Sequence, residues 1–151
     1  INDKYLLFIG GENIKVGESK DLIHWNINQK PILDIRKDHF DNRYVEVGPP
    51  PFIYQDKIVV FFNTADTNGT FYTSLALLDK NNPKKVLYRA NQPLMTPTEK
   101  YEKQGLINNV IFGSGLVNFK GTYFYYYGAA DTTVCVATIT KSKLEKYLSN
   151  L

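Results

Sequence analysis

The chain has 151 residues, enough to bury a sizeable core as one domain, and its 43% hydrophobic and 22% charged residues are those of an ordinary globular chain. Its net charge of +3 is small, and lysines and arginines are scattered except at Lys84, Lys85 and Arg89, which excludes a nucleic-acid footprint. No apolar run approaches the ~18 residues of a membrane-spanning helix, no signal segment opens the chain, and the lone Cys135, inside an apolar stretch, excludes an internal disulfide framework.

Lys4 to Gly17, KYLLFIGGENIKVG, reads as a hairpin. Residues 4–10 are apolar nearly throughout, which suits a strand covered on both faces, and Gly10, Gly11 and Asn13 supply the turn. In SKDLIHW, from Ser19, Asp21 is expected to bond to its own backbone two residues on, with Trp25 packed onto the sheet. His24 reads as a strand or turn residue rather than a catalytic base, because the local sequence places no partner acid against it. Residues 30–44 form a polar loop of mixed charge, a carrier of site residues or a solvated connector, and His39 belongs to it.

Tyr44 to Phe52, YVEVGPPPF, cannot be a central strand, since three prolines fix φ and remove three donors. It reads as a rigid extended crossing that fixes Glu46, either as a carboxylate for acid or base chemistry or as a partner of Arg43 or a lysine. Lys57 to Asp66, KIVVFFNTAD, and FYTSLALLD from Phe71 form a second hairpin. Asn82-Pro83 marks a turn beside the solvated Lys84 and Lys85. Leu94 to Gly105 is a second long loop whose candidates are Glu99, Tyr101 and Glu102, with a short helical turn through TEKYEK as the alternative. NNVIFGSGL is a strand interrupted by Gly113 and Gly115, at a bulge or a close approach. Gly121 to Ala137, GTYFYYYGAADTTVCVA, is the third and strongest hairpin, and Lys141 to Leu151, with apolar residues at helical spacing, reads as a short amphipathic helix or a strand extension packed on the last blade.

With Tyr5, Ile58 and Tyr123 in register, the three hairpins are copies of one another, at spacings near the blade length of a β-propeller. Asp66 and Asp131 then fall at equivalent turns. The sequence shows no metal cluster, phosphate-binding glycine loop or nucleophile with an adjacent base. A fixed carboxylate, polar strand ends and abundant aromatic rings fit carbohydrate chemistry.

The strings NIKVGESKDLIHW, FDNRYVEVGPPPF, LALLDKNNPKKVLYR, YEKQGLINNVIFGSG and YYYGAADTTVCVA, in this order, resemble glycoside hydrolase family 130, the mannoside phosphorylases and β-mannosidases. The resemblance implies an all-β fold, a five-bladed β-propeller of which this chain supplies about two to three blades. Residues 1–151 are then the C-terminal part of a single propeller domain, and the general acid and two phosphate-holding arginines belong to the N-terminal half, so these residues alone should not be a working enzyme. Asn63 stands where the family's phosphorylases carry a phosphate-binding histidine, and Ser114 where hydrolysing members carry a glutamate. Asn63 favours, and Ser114 weakens, what the resemblance implies first, inverting hydrolysis of β-mannosides with Glu46 as base; the alternatives are a mannoside phosphorylase releasing mannose 1-phosphate, or a non-catalytic sugar-binding remnant. Asp131, Asn63, Tyr72, Tyr101 and Asn109 are the expected substrate-binding residues. No cofactor or metal is expected, with inorganic phosphate a co-substrate only in a phosphorylase. The expected partners are an oligosaccharide and the N-terminal half of the propeller or a second copy, without nucleic acid or membrane, and a cytoplasmic location is favoured.

Overall fold

The repeat appears as three antiparallel sheets in the computed structural model, which describes residues 1–151. In the first sheet β1 (Tyr5–Ile9) turns into β2 (Lys15–Ser19), and β3 (Asn26–Ile27) adds to the far edge of β2. Gly10 closes that turn at φ +139°, and a Cβ there would stand 1.8 Å from the Asn13 carbonyl oxygen. Only glycine fits.

The middle sheet runs β4 (Tyr44–Val47), β6 (Lys57–Ala65), β7 (Phe71–Asp79), β8 (Val86–Arg89), with β5 (Phe52–Tyr54) pairing the start of β6. Val47 lies opposite Phe62 and Phe52 opposite Val59, so β4 and β5 run along one edge of β6 and the prolines interrupt that edge between them. Missing amide donors cost no ladder bonds on the outward side of an edge strand. The third sheet is β11 (Thr133–Thr140), β10 (Thr122–Ala129), β9 (Ile111–Phe119). A short helix α1 (Lys100–Lys103) sits in the loop between the second and third sheets, and α2 (Lys141–Ser149) follows β11. Thr140 caps α2 by accepting from the Lys143 amide, and Leu144 and Leu148, one helical turn apart, are buried.

The largest apolar cluster lies between the middle and third sheets. Val59, Phe61, Leu75 and Leu77 meet Ile111, Tyr125, Tyr127 and Ala129, with Leu144 and Leu148 of α2 joining them. The other face of the middle sheet presents Phe62 and Ala76 to Ile14 and Leu33, and Ile58, Val60 and Leu78 to Leu6 and Phe8. Burial on both faces accounts for the unalternating runs IVVFF and SLALL, each large side chain stabilising the fold by roughly 1.5–3 kcal/mol.

Two expectations change. The first strand is not covered on both faces: Leu6 and Phe8 pack against the middle sheet, while Tyr5 and Ile9 are 50% and 45% exposed, because residues 1–151 place a neighbour on one side of the first sheet only. Cys135 is half-buried at the edge of the main cluster rather than sealed within it. No helix is long and apolar enough to cross a membrane.

Candidate functional site

The strands β4 and β9 each begin a sheet, and between them lies the most constrained chemistry of the molecule. Tyr44 and Glu46, two residues apart, share one face of β4, and the Tyr44 hydroxyl donates a hydrogen bond to the Glu46 carboxylate. Burial first, and the Glu46 carboxylate second, push the Tyr44 hydroxyl well above the usual phenol range. Tyr44 therefore stays protonated and acts as a donor. Its ring meets Phe71 edge-on at 5.9 Å, and Phe71 meets Phe112 at 6.4 Å, so the ring that holds the carboxylate continues into a row of aromatic rings from β4, β7 and β9.

Asn63 lies directly across from Glu46 on β6 and is fully buried. Its Nδ2 donates to the Gly113 carbonyl at 2.9 Å and the Val47 carbonyl at 3.3 Å, and its Oδ1 accepts from the Gly113 amide at 2.7 Å. One amide side chain thus ties β4, β6 and β9 together. Asn63, expected among the substrate-binding residues, spends both of its amide donors on backbone. Gly113 is required by close approach: a Cβ there would fall 1.6 Å from the Tyr125 hydroxyl oxygen, which itself pairs with the Thr73 hydroxyl at 3.0 Å. Tyr126 pairs with Gly115 and Tyr127 with Gly113, so Ser114 is the extra residue of a β-bulge and is exposed. The Gly-Ser-Gly pattern had signalled a bulge or a close approach, and both occur.

The other expected site residues gather at one end of the sheets. Register places Tyr44, Ala65 and Phe71 together, and Ile111, Ala129 and Thr133 together, and the Asn109 carbonyl accepting from the Phe71 amide at 2.9 Å links the two ends. Asn109, at φ +58°, therefore serves the structure through its backbone and leaves its side chain exposed. Asp131, at φ +57°, is exposed at the turn between β10 and β11, where the adjacent Ala130 carbonyl accepts from the Ile107 amide. Tyr101 is partly exposed on α1, beside Tyr127. Tyr72 has its hydroxyl donating to Asp66 at 2.9 Å, and Asp66 also accepts from the Asn68 and Thr70 amides, so the pair closes the turn between β6 and β7.

Three clusters went unread in the sequence. Glu102, only 3% exposed, accepts from the Thr98 and Glu99 amides at 2.7 and 2.9 Å and from the Tyr127 hydroxyl at 2.8 Å. Burial would raise its pKa, but the Glu99 and Thr98 amides, with the Tyr127 and Thr98 hydroxyls, outweigh that and hold it below the usual carboxylate range. Glu102, one of the candidates in this loop, is a knot that holds residues 94–110 together. The capping-box spacing Glu99 to Glu102 was its available signal. Asp41, fully buried, bridges Arg36 at 2.9 Å and Arg89 at 2.6 Å, fixing the loop that enters β4. No local spacing joins residues so far apart. Finally, His24 does have an acid: its Nδ1 lies 2.8 Å from Asp21, whose carboxyl is held low by the His24 ring and backbone amide. The expected Asx turn, Ile23 amide to Asp21 at 2.9 Å, is present and swings the ring onto the same carboxylate. The open cleft around His24, lined with Lys4, Glu18 and Trp25, takes no residue from β4 or β9. His39 donates its amide to the Arg36 carbonyl within the entry loop.

Three antiparallel sheets built on one repeated pattern are the architecture of a β-propeller. The family model described as β-1,4-mannooligosaccharide phosphorylase, glycoside hydrolase family 130, matches residues 1–150, and the chain belongs to this family. It is 34% identical over 140 residues to a 1,2-β-oligomannan phosphorylase of Thermoanaerobacter sp. (strain X514), covering 92% of this chain and 47% of that protein. Among solved structures it superposes on the β-1,2-mannobiose phosphorylase of Listeria innocua in complex with β-1,2-mannobiose, with a TM-score of 0.88, 28% identity, and coverage of 100% of this chain and 44% of that one. A glycosyl hydrolase from Bacteroides ovatus follows with a TM-score of 0.87 and 30% identity, over 94% of this chain and 44% of that one. The chain therefore spans about half the length of its relatives, and its sheets are blades of a five-bladed β-propeller.

Proposed function

We propose that the complete protein cleaves β-mannosidic linkages and that this chain supplies part of the cavity. In this reading Asp131 binds the sugar, Tyr101 and Asn109 line the approach, and Glu46 faces the reacting centre. The observation that carries it is the Glu46 carboxylate, held by Tyr44 among rings at the junction of β4 and β9. The phosphorylases to which the chain is similar support phosphate as the acceptor, with mannose 1-phosphate as the product.

A specific observation favours a second reading, inverting hydrolysis. At position 63 the side chain is neutral and fully engaged, so it offers phosphate neither charge nor a free donor, and the neighbouring Glu46 would repel the anion. Glu46 would instead take a proton from water as its oxygen attacks the anomeric carbon. An acid from the rest of the propeller would protonate the departing glycosidic oxygen.

The test is turnover of β-1,2- and β-1,4-mannobiose by the complete protein with and without inorganic phosphate. Mannose 1-phosphate formed only with phosphate supports the first reading, free mannose at equal rates in both supports the second, and binding without turnover in either leaves a sugar-binding propeller. Turnover retained in Glu46→Gln would remove Glu46 from the chemistry.

A further inference from the structure

The buried and half-buried carboxylates of this chain are not held alike. Glu18, Asp41, Asp66, Asp79, Glu102 and Glu145 each meet a cation or at least two backbone amides. Glu46, half-buried on β4, meets neither: its one partner is the Tyr44 hydroxyl, which donates to Oε2. Arg43, the cation expected beside it, lies instead at the turn between β6 and β7, where a Cβ on Gly69 would stand 3.7 Å from its Nη1. A carboxylate has about four lone-pair sites on its two oxygens, and here Oε1 is neither bonded nor sealed. The orientation of Glu46 therefore depends on one hydroxyl, while the other oxygen is left for a ligand.

We propose that Tyr44 is the positioning residue of the Glu46 carboxylate: by holding Oε2 it fixes the side chain in one rotamer and turns Oε1 toward the reacting centre. This rests on the reading that Glu46 faces that centre. Tyr44 can do so because it is itself held from three sides. Its backbone pairs with Ala65 of β6, its carbonyl accepts from the Thr64 hydroxyl, and its ring packs edge-on against Phe71. Phe71 is anchored in turn by its amide, which donates to the Asn109 carbonyl at 2.9 Å. The second acid near the Tyr44 hydroxyl, Glu12 of the turn between β1 and β2, takes no hydrogen bond from it, so the donor is committed to Glu46. Two residues apart on one strand, the tyrosine and the glutamate share a face, and β4 alone sets the pair. A glutamate turns about three side-chain bonds, and a reacting group displaced by about 1 Å can lose on the order of 100-fold in rate.

Tyr44→Phe in the complete protein tests this, since it removes the hydroxyl and keeps the ring against Phe71. On the better substrate of β-1,2- and β-1,4-mannobiose, with inorganic phosphate present and the folded fraction measured and divided out, kcat should fall about 10- to 100-fold while KM stays within about twofold. In Glu46→Gln the carboxylate is gone and Tyr44 has nothing to aim, so adding Tyr44→Phe should change the residual kcat by less than about twofold. An unchanged kcat in Tyr44→Phe, a loss confined to KM, or losses that multiply in the double variant each overturn the proposal. Where Glu46→Gln leaves no measurable turnover, kcat against KM in Tyr44→Phe decides. The functional reading fails separately: full turnover in Glu46→Gln removes Glu46 from the chemistry and the positioning role with it. Loss in Glu46→Gln with none in Tyr44→Phe overturns the positioning role alone and leaves Glu46 in place.

Discussion

The two faces of the third sheet are made from one set of strands and differ in what they meet. On one face Tyr125 and Tyr127 are nearly sealed, Ala129 is sealed, and Asn63 and Thr73 reach across from the middle sheet to Gly113 and Tyr125. On the other face Tyr126, Val134 and Val136 lie open, although they are as apolar as their neighbours. A strand with one wet face alternates polar and apolar residues. β10 does not, so its composition is that of a strand covered twice while residues 1–151 cover it once. The comparison teaches that joined faces are specified by hydrogen bonds at particular residues, and open ones by composition alone.

The joined faces should break hardest. Asp41→Ala leaves the Arg36 and Arg89 guanidiniums without their shared carboxylate and should cost about 3–5 kcal/mol in denaturant unfolding. Gly113→Ala drives a methyl into the Tyr125 hydroxyl and should cost about 3 kcal/mol, only partly regained in Tyr125→Phe, because the ring carbon Cζ would still stand 2.3 Å from that methyl. Asn63→Leu strands the Gly113 amide and carbonyl and should cost about 2 kcal/mol, with faster exchange at Gly113 as its signature.

Glu102 sharpens the comparison through pH. Its folded pKa lies below that of the unfolded chain, so its contribution is complete above the ordinary carboxylate range, near ~4.3, and is lost as pH falls through the folded value. Glu102→Gln should lower stability by about 1–2 kcal/mol at pH 7 and by less at low pH, seen as a flatter profile of midpoint against pH between the two proteins. The smallest effect belongs to the open face: Val134→Thr with Val136→Thr should shift the unfolding of residues 1–151 by no more than about 0.5 kcal/mol per site. A loss as large as that of Asn63→Leu would show that this face is already packed.

The hairpins, the proline-interrupted edge, the short helix at TEKYEK and the C-terminal helix were legible because each is written in contiguous residues whose spacing carries a period or a cap. Glu46 could be singled out for the same reason, as it precedes GPPP. The bonds that occupy Asn63 and Tyr72 were not legible because their partners arrive from elsewhere: Gly113 is 50 residues from Asn63, and the Asp66 carboxylate reaches Tyr72 only once the turn has closed. The Arg36–Asp41–Arg89 bridge was invisible for that reason too, since 48 residues separate Asp41 from Arg89. His24 is the instructive miss. The turn at Asp21 was foreseen, but a carboxylate that bends its own backbone also lies within reach of the side chain three residues on.

Ser114 stands outside the pairing of its strand, extruded between two glycines on the inner edge of its blade. A residue with no partner across the sheet owes nothing to the ladder, so its side chain can be exchanged at little cost to folding. The bulge is thus a point where the blade tolerates a change of side chain without a change of frame.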